Sequence, residues 1–588
     1  MSLLLRLITS VALIAGPASA ATDNSPEAAP QSASPAPAAP ETPAPESSAP
    51  ATEPGPAAPN GASSEEKIDI NKIDLSQFEN TLREIVDKEG GEQYRMSMED
   101  CVRRALENNQ DILVAEYEPM KSDADIMSAK GEFDPALRSS ANYQYSNFGV
   151  ATGLGTPFAP GASTKGYPSV VSYNTQTNTE FLGKLKWGTQ YDVSMGVNKV
   201  ENTSGKYIEL WSGGLTLTIT QPLLQGAGLN ANLARVRIAK NSRLISNEQL
   251  QYTVLSTVAQ VAKSYWDLVG AVEQLKVQQQ ALDNAERLLD INQKRLKIGT
   301  GAAIDIVQAK AGVALRQSGL ITAHAQVKNA EDILKQLLGM QDGEALAKGS
   351  IIPLNRPAVT DLATDEAASI ALAIEHRPDI KSAELAIESA KIDQKQASNA
   401  MLPNVALTGS ASQGSHNHYM SEVFDGVVDP LDKSFSVGVT GTLSLGNRTA
   451  RGAHQRATLT VRQAEQQWSR SKQIAARDVS LSIRSLETSR TLVASNRNAR
   501  ALQETNLAAE EKRLNLGVST SYQVLLKQQD LTSAQTQEVG ALIQFEKAVI
   551  DLRSAQGTLL DDLGIAFEPP ATEKPEPYLK SLIPEQWR

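Results

Sequence analysis

The sequence predicts a mixed fold: a membrane β-barrel continued by a long α-helical coiled-coil barrel, internally duplicated, with the β-barrel shared between protomers. Three observations predict it. One half of the chain repeats the other in register, long helical stretches carry apolar residues at a 3.5-residue period, and the segments between them switch to a two-residue alternation.

The duplication comes first. Sliding the chain by 218 places lays RLKIGTGAAIDIV (Arg295 to Val307) over RLNLGVSTSYQVL (Arg513 to Leu525), and without a gap lays Gly228 on Gly446, Gly299 on Gly517 and Gly339 on Gly557. A register held over a hundred residues marks an internal repeat. A shift of 268 lays Ala105 on Ala373, Asp111-Ile112 on Asp379-Ile380 and Pro135 on Pro403. The change of shift leaves the first copy 50 residues longer between Pro135 and Gly228 (268 − 218 = 50).

The helical period comes next. Val254, Val258, Val261, Tyr265, Leu268, Val272, Leu275, Leu282, Leu289 and Leu296 recur every 3.5 residues, which specifies a left-handed coiled coil. Gly228 to Gly299 spans 71 residues, roughly 105 Å of helix at about 1.5 Å per residue. The stretches Ser97 to Gly131 and Ile304 to Gly339 are each about half that length, so two short helices stacked end to end can pair with one long one. Ser97 with Asp100 predicts a capping box, and Pro135 ends the first helix.

The alternating segments supply the strands. Leu137, Ser139, Ala141, Tyr143 and Tyr145 form one face and Arg138, Ser140, Asn142, Gln144 and Ser146 the other; Leu215 to Thr220 and Phe435 to Leu445 alternate likewise. Apolar outside and small polar inside is the pattern of a water-filled outer-membrane barrel. Strands are expected at about 136 to 147, 175 to 186, 190 to 200 and 213 to 221, with a tight turn at Trp187-Gly188-Thr189, and upward from Val405 and downward from Phe435. This gives six strands per chain, or four if the extra hairpin stays outside the sheet. About eight are needed to close a membrane barrel, so the barrel has to be shared.

Composition sets limits. The chain holds 56 basic and 67 acidic residues, a net charge of −11, with 5% aromatics, which argues against nucleic acid as a partner. Residues 1–20 read as a cleavable signal peptide ending in Ala18-Ser19-Ala20, and 21–66, with 11 prolines from Pro26 to Pro59, as a disordered tether. A short N-terminal helical segment, 67–96 with its helix at Leu75 to Asp87, precedes repeat one (97–339). An equatorial segment (340–364), repeat two (365–557) and a C-terminal equatorial segment (558–588) complete the chain. No run of 18 apolar residues follows the signal, so entry into a membrane has to use strands. The single Cys101 reads as a buried apolar residue, and His416 and His418 in a loop are weak metal candidates.

With these residues in view, the chain resembles the TolC-type outer membrane factors over roughly 97 to 560. The resemblance is carried by the duplication, by Thr220-Gln221-Pro222-Leu223-Leu224 before Gly226-Ala227-Gly228, and by the two RL-x-x-G turns. It implies a homotrimer in outer-membrane lipid, docked on a periplasmic adaptor (membrane fusion protein) and an inner-membrane pump, passively conducting the export of small molecules or proteins. It needs no cofactor, no metal and no catalytic residue. It also implies that Arg295, Leu296 and Gly299, and Arg513, Leu514 and Gly517, are the hairpin tips where the adaptor packs. Asp305 matches the family's acidic residue at the tunnel entrance, whereas Gln523 and Leu526 stand where carboxylates are usual. Apart from the resemblance, the two glycines supply φ > 0 at helix ends, and Asp305 suits the positive end of the following helix. A long coiled-coil structural or adaptor protein of the periplasm is the alternative reading.

Overall fold

A computed structural model of the chain describes residues 93–149, 169–202, 208–340, 349–359, 365–428, 432–567 and 569–570. The segments expected as signal peptide (1–20), tether (21–66) and helix (Leu75 to Asp87) lie outside the described residues, as does the chain beyond Pro570.

The first element is a strand, β1 (Gln93–Met96), at the end of the segment 67–96, for which the sequence predicts a helix at Leu75 to Asp87 and no strand. It pairs in parallel with β6 (Ser350–Pro353), Tyr94 opposite Ile351. Two four-residue strands carry no periodic signal. A tertiary anchor holds them: the Tyr265 hydroxyl donates to Asn355 Oδ1 at 2.8 Å and to the Met96 carbonyl at 3.3 Å, and accepts from the Asn355 N–H at 3.1 Å.

Helix α1 (Met98–Asn108) opens on the expected capping box: Ser97 Oγ accepts from the Asp100 N–H at 3.2 Å, and Asp100 Oδ2 accepts from the Ser97 N–H at 3.1 Å. The single helix expected from Ser97 to Gly131 is interrupted at Asn109, and α2 (Gln110–Lys130) starts afresh. The cause is local. Asn109 Oδ1 accepts from the N–H groups of Asp111 (2.9 Å) and Ile112 (3.2 Å), so the side chain replaces the carbonyl that a continuous helix would supply. The same interruption separates α5 (Glu366–His376) from α6 (Pro378–Asn399). There Pro378 forces Arg377 into extended backbone and, at the first helical position, has no N–H to lose.

Six strands form one antiparallel sheet in the order β2 (Ala136–Gly149), β3 (Ser169–Lys184), β4 (Gln190–Asn202), β5 (Ile208–Pro222), β7 (Asn404–Asn417), β8 (Asp432–Thr442). The extra hairpin, β3–β4, is therefore inside the sheet. The register puts the alternation into contact across strands. Leu137 faces Phe181, Phe181 faces Val193, Val193 faces Leu217, Leu217 faces Ala411 and Ala411 faces Phe435, one apolar row across all six strands. The opposite face is a hydroxyl surface, with Ser410 bonded to Ser436 at 2.7 Å and Ser412 to Ser434 at 2.6 Å. Between β7 and β8 the expected loop contains a helix, α7 (Met420–Val428), whose Val423 is fully buried against Gly213. Only a residue without Cβ fits there, since a Cβ on Gly213 would lie 2.6 Å from Val423 Cγ1.

Two long helices carry the chain away from the sheet: α3 (Ala234–Lys297, 64 residues) and α8 (Arg448–Asn515, 68 residues), roughly 96 and 102 Å at about 1.5 Å per residue. Helices α4 (Ala303–Leu337) and α9 (Ser521–Gln556) return along them. On the sheet side the wall runs α2, α3, α6, α8; on the far side it runs α4, α3, α9, α8. At the waist between them Val254, Val258, Val261, Tyr265 and Leu268 of α3 pack with Cys101, Val102, Leu334, Ile351 and Leu559. Each such side chain contributes about 1.5–3 kcal/mol on burial. Cys101 is fully buried, and that burial pushes its thiol up to about 12, an inert side chain as the sequence predicts.

Candidate functional site

The far ends of the two helical hairpins share one turn geometry. Helix α3 ends where Gly299 takes φ +80°, with the Gly299 N–H on the Leu296 carbonyl (3.0 Å) and the Thr300 N–H on the Arg295 carbonyl (2.9 Å). Helix α8 ends where Gly517 takes φ +79°, with the Gly517 N–H on the Leu514 carbonyl (3.0 Å) and the Val518 N–H on the Arg513 carbonyl (3.1 Å). Both are Schellman motifs, which need a residue free to adopt the left-handed region. Each reversal lifts its apolar side chains into solvent: Ile298 is 74% exposed, Leu516 79% and Val518 71%, with Leu296 and Ile304 exposed beside them.

The two tips are bonded to each other. Arg295 Nη2 donates to the Leu514 carbonyl at 2.5 Å, across 219 residues of sequence. The Ser521 hydroxyl donates to Asn292 Oδ1 at 2.8 Å, and Asn292 Nδ2 donates to the Asp305 carbonyl at 3.3 Å. Asn292 and Ser521 are both buried, and beneath them Leu514 packs with Leu288, Leu507, Val524 and Leu531. Arg513, the counterpart of Arg295, stays on its own tip, paired with Glu510 at 3.5 Å. The Ser519 hydroxyl and then Arg513 hold the Glu510 carboxyl below its ordinary value.

Asp305 lies in the first turn of α4, where its Oδ2 accepts from the Ala302 N–H at 3.4 Å. Gln523 is exposed in the first turn of α9, and its backbone N–H reaches Thr520 Oγ1 at 3.4 Å. The sequence reading missed Asn292, Ser521 and Glu510. Asn292 had a signal, since it interrupts the apolar seam between Leu289 and Leu296, where a polar residue fixes register. The two histidines expected in a loop part company: His416 belongs to strand β7 with its Nδ1 3.2 Å from Asp432 Oδ2, while His418, just past the strand, has its Nδ1 2.9 Å from the Glu209 carbonyl. Among the described residues no group of three His, Cys, Asp or Glu side chains could hold a metal ion.

The sequence model described as "Outer membrane efflux protein" matches residues 101–340 and 369–558, both hairpins with their strands. The chain belongs to the outer membrane efflux protein family. It is 24% identical over 446 residues, 73% of this chain and 90% of the relative, to the outer membrane efflux protein BepC of Brucella suis biovar 1. It is 25% identical over 228 residues, 37% of this chain and 48% of the relative, to the cation efflux system protein CusC of Escherichia coli K12. Among solved structures it is similar in fold to the CmeC outer membrane channel of Campylobacter jejuni, with a TM-score of 0.56 at 17% identity over 79% of this chain and 86% of that one. The protein is thus an efflux channel of the Gram-negative outer membrane, in a family of channels rather than enzymes. No helix among the described residues is long and apolar enough to cross a membrane.

Proposed function

We propose that the protein is a homotrimeric channel-tunnel, internally duplicated, that passively conducts export while docked to a periplasmic adaptor and an inner-membrane pump. The sheet carries this reading. It is apolar on one face only, and its edge strands β2 and β8 have no outer neighbour among the described residues. Six strands cannot close in lipid, and an open edge in lipid leaves backbone groups unpaired. Strand β2 leaves the helices and β8 returns to them, so β8 of one copy and β2 of the next pair antiparallel. Three copies of six strands make eighteen. At a strand spacing of about 4.8 Å and a tilt of about 40°, that ring is roughly 36 Å across its backbone. The helix edges agree: Val114 and Tyr117 on α2 and Leu459 and Leu502 on α8 are exposed in the single chain, and a neighbouring copy covers them.

In this reading the helices line a periplasmic tunnel, and the exposed Ile298, Leu516 and Val518 beside Arg295, Leu296, Gly299, Arg513, Leu514 and Gly517 meet the adaptor. Asp305 and Gln523 stand at the tunnel entrance. The pump supplies the energy and selects the cargo. Native mass spectrometry and planar-bilayer conductance on one purified sample test the assembly; the expected result is a trimer with long-lived pores, and a non-conducting monomer overturns the reading. Docking is tested by Leu516→Asp with Val518→Asp, which is expected to abolish export in cells while the trimer and its conductance persist.

A further inference from the structure

The most unusual charge placement in the molecule lies where the long helices leave the sheet. A helix N-terminus carries partial positive charge and favours carboxylates. Helices α1, α2, α4, α5 and α6 follow that rule, opening with Glu99, Asp111, Asp305, Glu366 and Asp379 respectively. Helix α9 opens without an acidic residue but also without a cation, whereas α3 and α8 go further. Neither has an acidic residue in its first turn, and α3 begins with Arg235, Arg237 and Lys240, α8 with Arg448, Arg451 and Arg456. The first carboxylate along α3 is Glu248 and along α8 is Glu465.

All six cations are exposed. Among the described residues Arg235, Lys240, Arg448, Arg451 and Arg456 enter no ion pair, and Arg237 donates to the neutral Asn230 Oδ1 at 2.9 Å. At the shift of 218, Arg235 falls on Ala453 and Lys240 on Thr458. The two halves share the charge but not its positions, which suits a spread-out surface better than a pocket built around one ligand.

Along the chain the cations of α3 and α8 follow exposed apolar links. The links between strands and helices expose Leu223, Leu224 and Leu229 in the first half and Leu402, Leu443 and Leu445 in the second, Leu445 at 96%. Apolar side chains first and Arg and Lys next follow the layering of a membrane leaflet, with acyl chains above phosphates. Long cationic side chains at such a level reach headgroups while their stems stay in apolar surroundings.

We propose that this paired apolar and cationic stretch binds anionic phospholipid headgroups of the periplasmic leaflet, with Arg235, Arg237, Lys240, Arg448, Arg451 and Arg456 as the phosphate contacts. The inference rests on the outer-membrane location and on the sheet direction, not on which pump or adaptor is used. Phosphate charge at this level also offsets the conflict between the cations and the helix dipoles.

The test uses the full chain in detergent, titrated with phosphatidylglycerol or with phosphatidylcholine of the same acyl chains and read by native mass spectrometry. The wild type is expected to retain phosphatidylglycerol about tenfold more than phosphatidylcholine. The variant with all six cations changed to Gln is expected to fall to a preference of about twofold or less. Because six changes can disturb folding, R235Q/R237Q/K240Q and R448Q/R451Q/R456Q are measured separately, each expected to lose part of the preference. Equal retention of both lipids by the wild type overturns the proposal, as does an unchanged preference in both triple variants. Binding of wild type to purified peptidoglycan that these variants lose, with lipid preference intact, overturns it in favour of a cell-wall contact. Planar-bilayer conductance of the same variants separates failure of this inference from failure of the channel reading.

Discussion

The two halves of the chain meet the waist with the same backbone and opposite chemistry. In the first half Asn109 seals the junction without charge: it is buried, caps α2 and donates Nδ2 to the Leu337 carbonyl at 2.8 Å. In the second half the equivalent residue is Arg377. Burial opposes its charge, but Asp379 (2.9 Å) and Asp478 (3.4 Å) outweigh that and hold its guanidinium above the ordinary value. Beside it a cavity of about 440 Å³ opens, lined by Tyr252, Ser256, Asp478, Ser485 and Asp551 among others. The first junction is closed further by β1, β6 and Tyr265. One backbone plan therefore tolerates a neutral junction and a charged one, provided each buried polar group finds a partner.

This contrast can be tested at its tightest point. Gly339 and Gly557 both end a return helix at φ +68° and +77°, but a Cβ on Gly339 would lie 2.2 Å from the Asn108 carbonyl, against 3.2 Å from the nearest backbone atom for Gly557. Gly339→Ala is expected to cost about 3 kcal/mol or more, and Gly557→Ala about 1–2 kcal/mol from the left-handed backbone. Denaturant unfolding followed by helical circular dichroism checks this, and equal costs would show that the first junction relaxes as freely as the second.

Next in size is the cap. Asn109→Ala is expected to cost about 1–2 kcal/mol, and Asn109→Asp at least as much at pH 7, since a carboxylate still caps α2 but sets a second buried oxygen against the Leu337 carbonyl. An Asn109→Asp variant clearly more stable than Asn109→Ala in the same unfolding assay would show that the cap, rather than the donation to Leu337, is the dominant contact.

The tips provide a functional version of the comparison. Arg295 ties one tip to the other and Arg513 does not. Arg295→Ala is expected to raise single-channel conductance or open probability severalfold, and Arg513→Ala to leave both near wild type. Matching effects from the two variants would remove the special role of Arg295.

The smallest effect concerns helix starts. Asp100 completes a capping box on α1, whereas α5 has Asp365 alone, accepting from the Ala367 N–H at 3.0 Å. The Ser97 hydroxyl and the Ser97 N–H lower the Asp100 carboxyl below its ordinary 3.8. A carboxyl lowered by folding stabilises fully above its unfolded value and loses that contribution as pH falls through its folded one. Asp100→Ala is thus expected to lower the unfolding midpoint slightly at pH 7 and to become indistinguishable from wild type well below pH 3.8.

How much was legible depended on whether the information was periodic. The six strands could be read because sustained alternation leaves one face apolar or aromatic, as over the nine residues from Leu137 to Tyr145. The tip glycines could be read because a helix that stops and reverses needs φ > 0. The junctions at Asn109 and Arg377 escaped because each occupies one residue inside an otherwise helical pattern. Strands β1 and β6 escaped because their partners are more than 250 residues apart (350 − 93 = 257). The bond from Arg295 to Leu514 escaped for a different reason: the sequence places Arg295 at a helix end, but only the packing of one hairpin on the other decides which carbonyl it meets.

The waist also sets a mechanical scale. Helices α3 and α8 pass through it unbroken, while the helices beside them stop and restart there. From Tyr265 to the end of α3 at Lys297 is 32 residues (297 − 265), a stiff arm of about 48 Å. A rotation of about 5° at the fulcrum sweeps its end through roughly 4 Å, more than the width of a water molecule, while the side chains at the pivot slide by only a fraction of that distance.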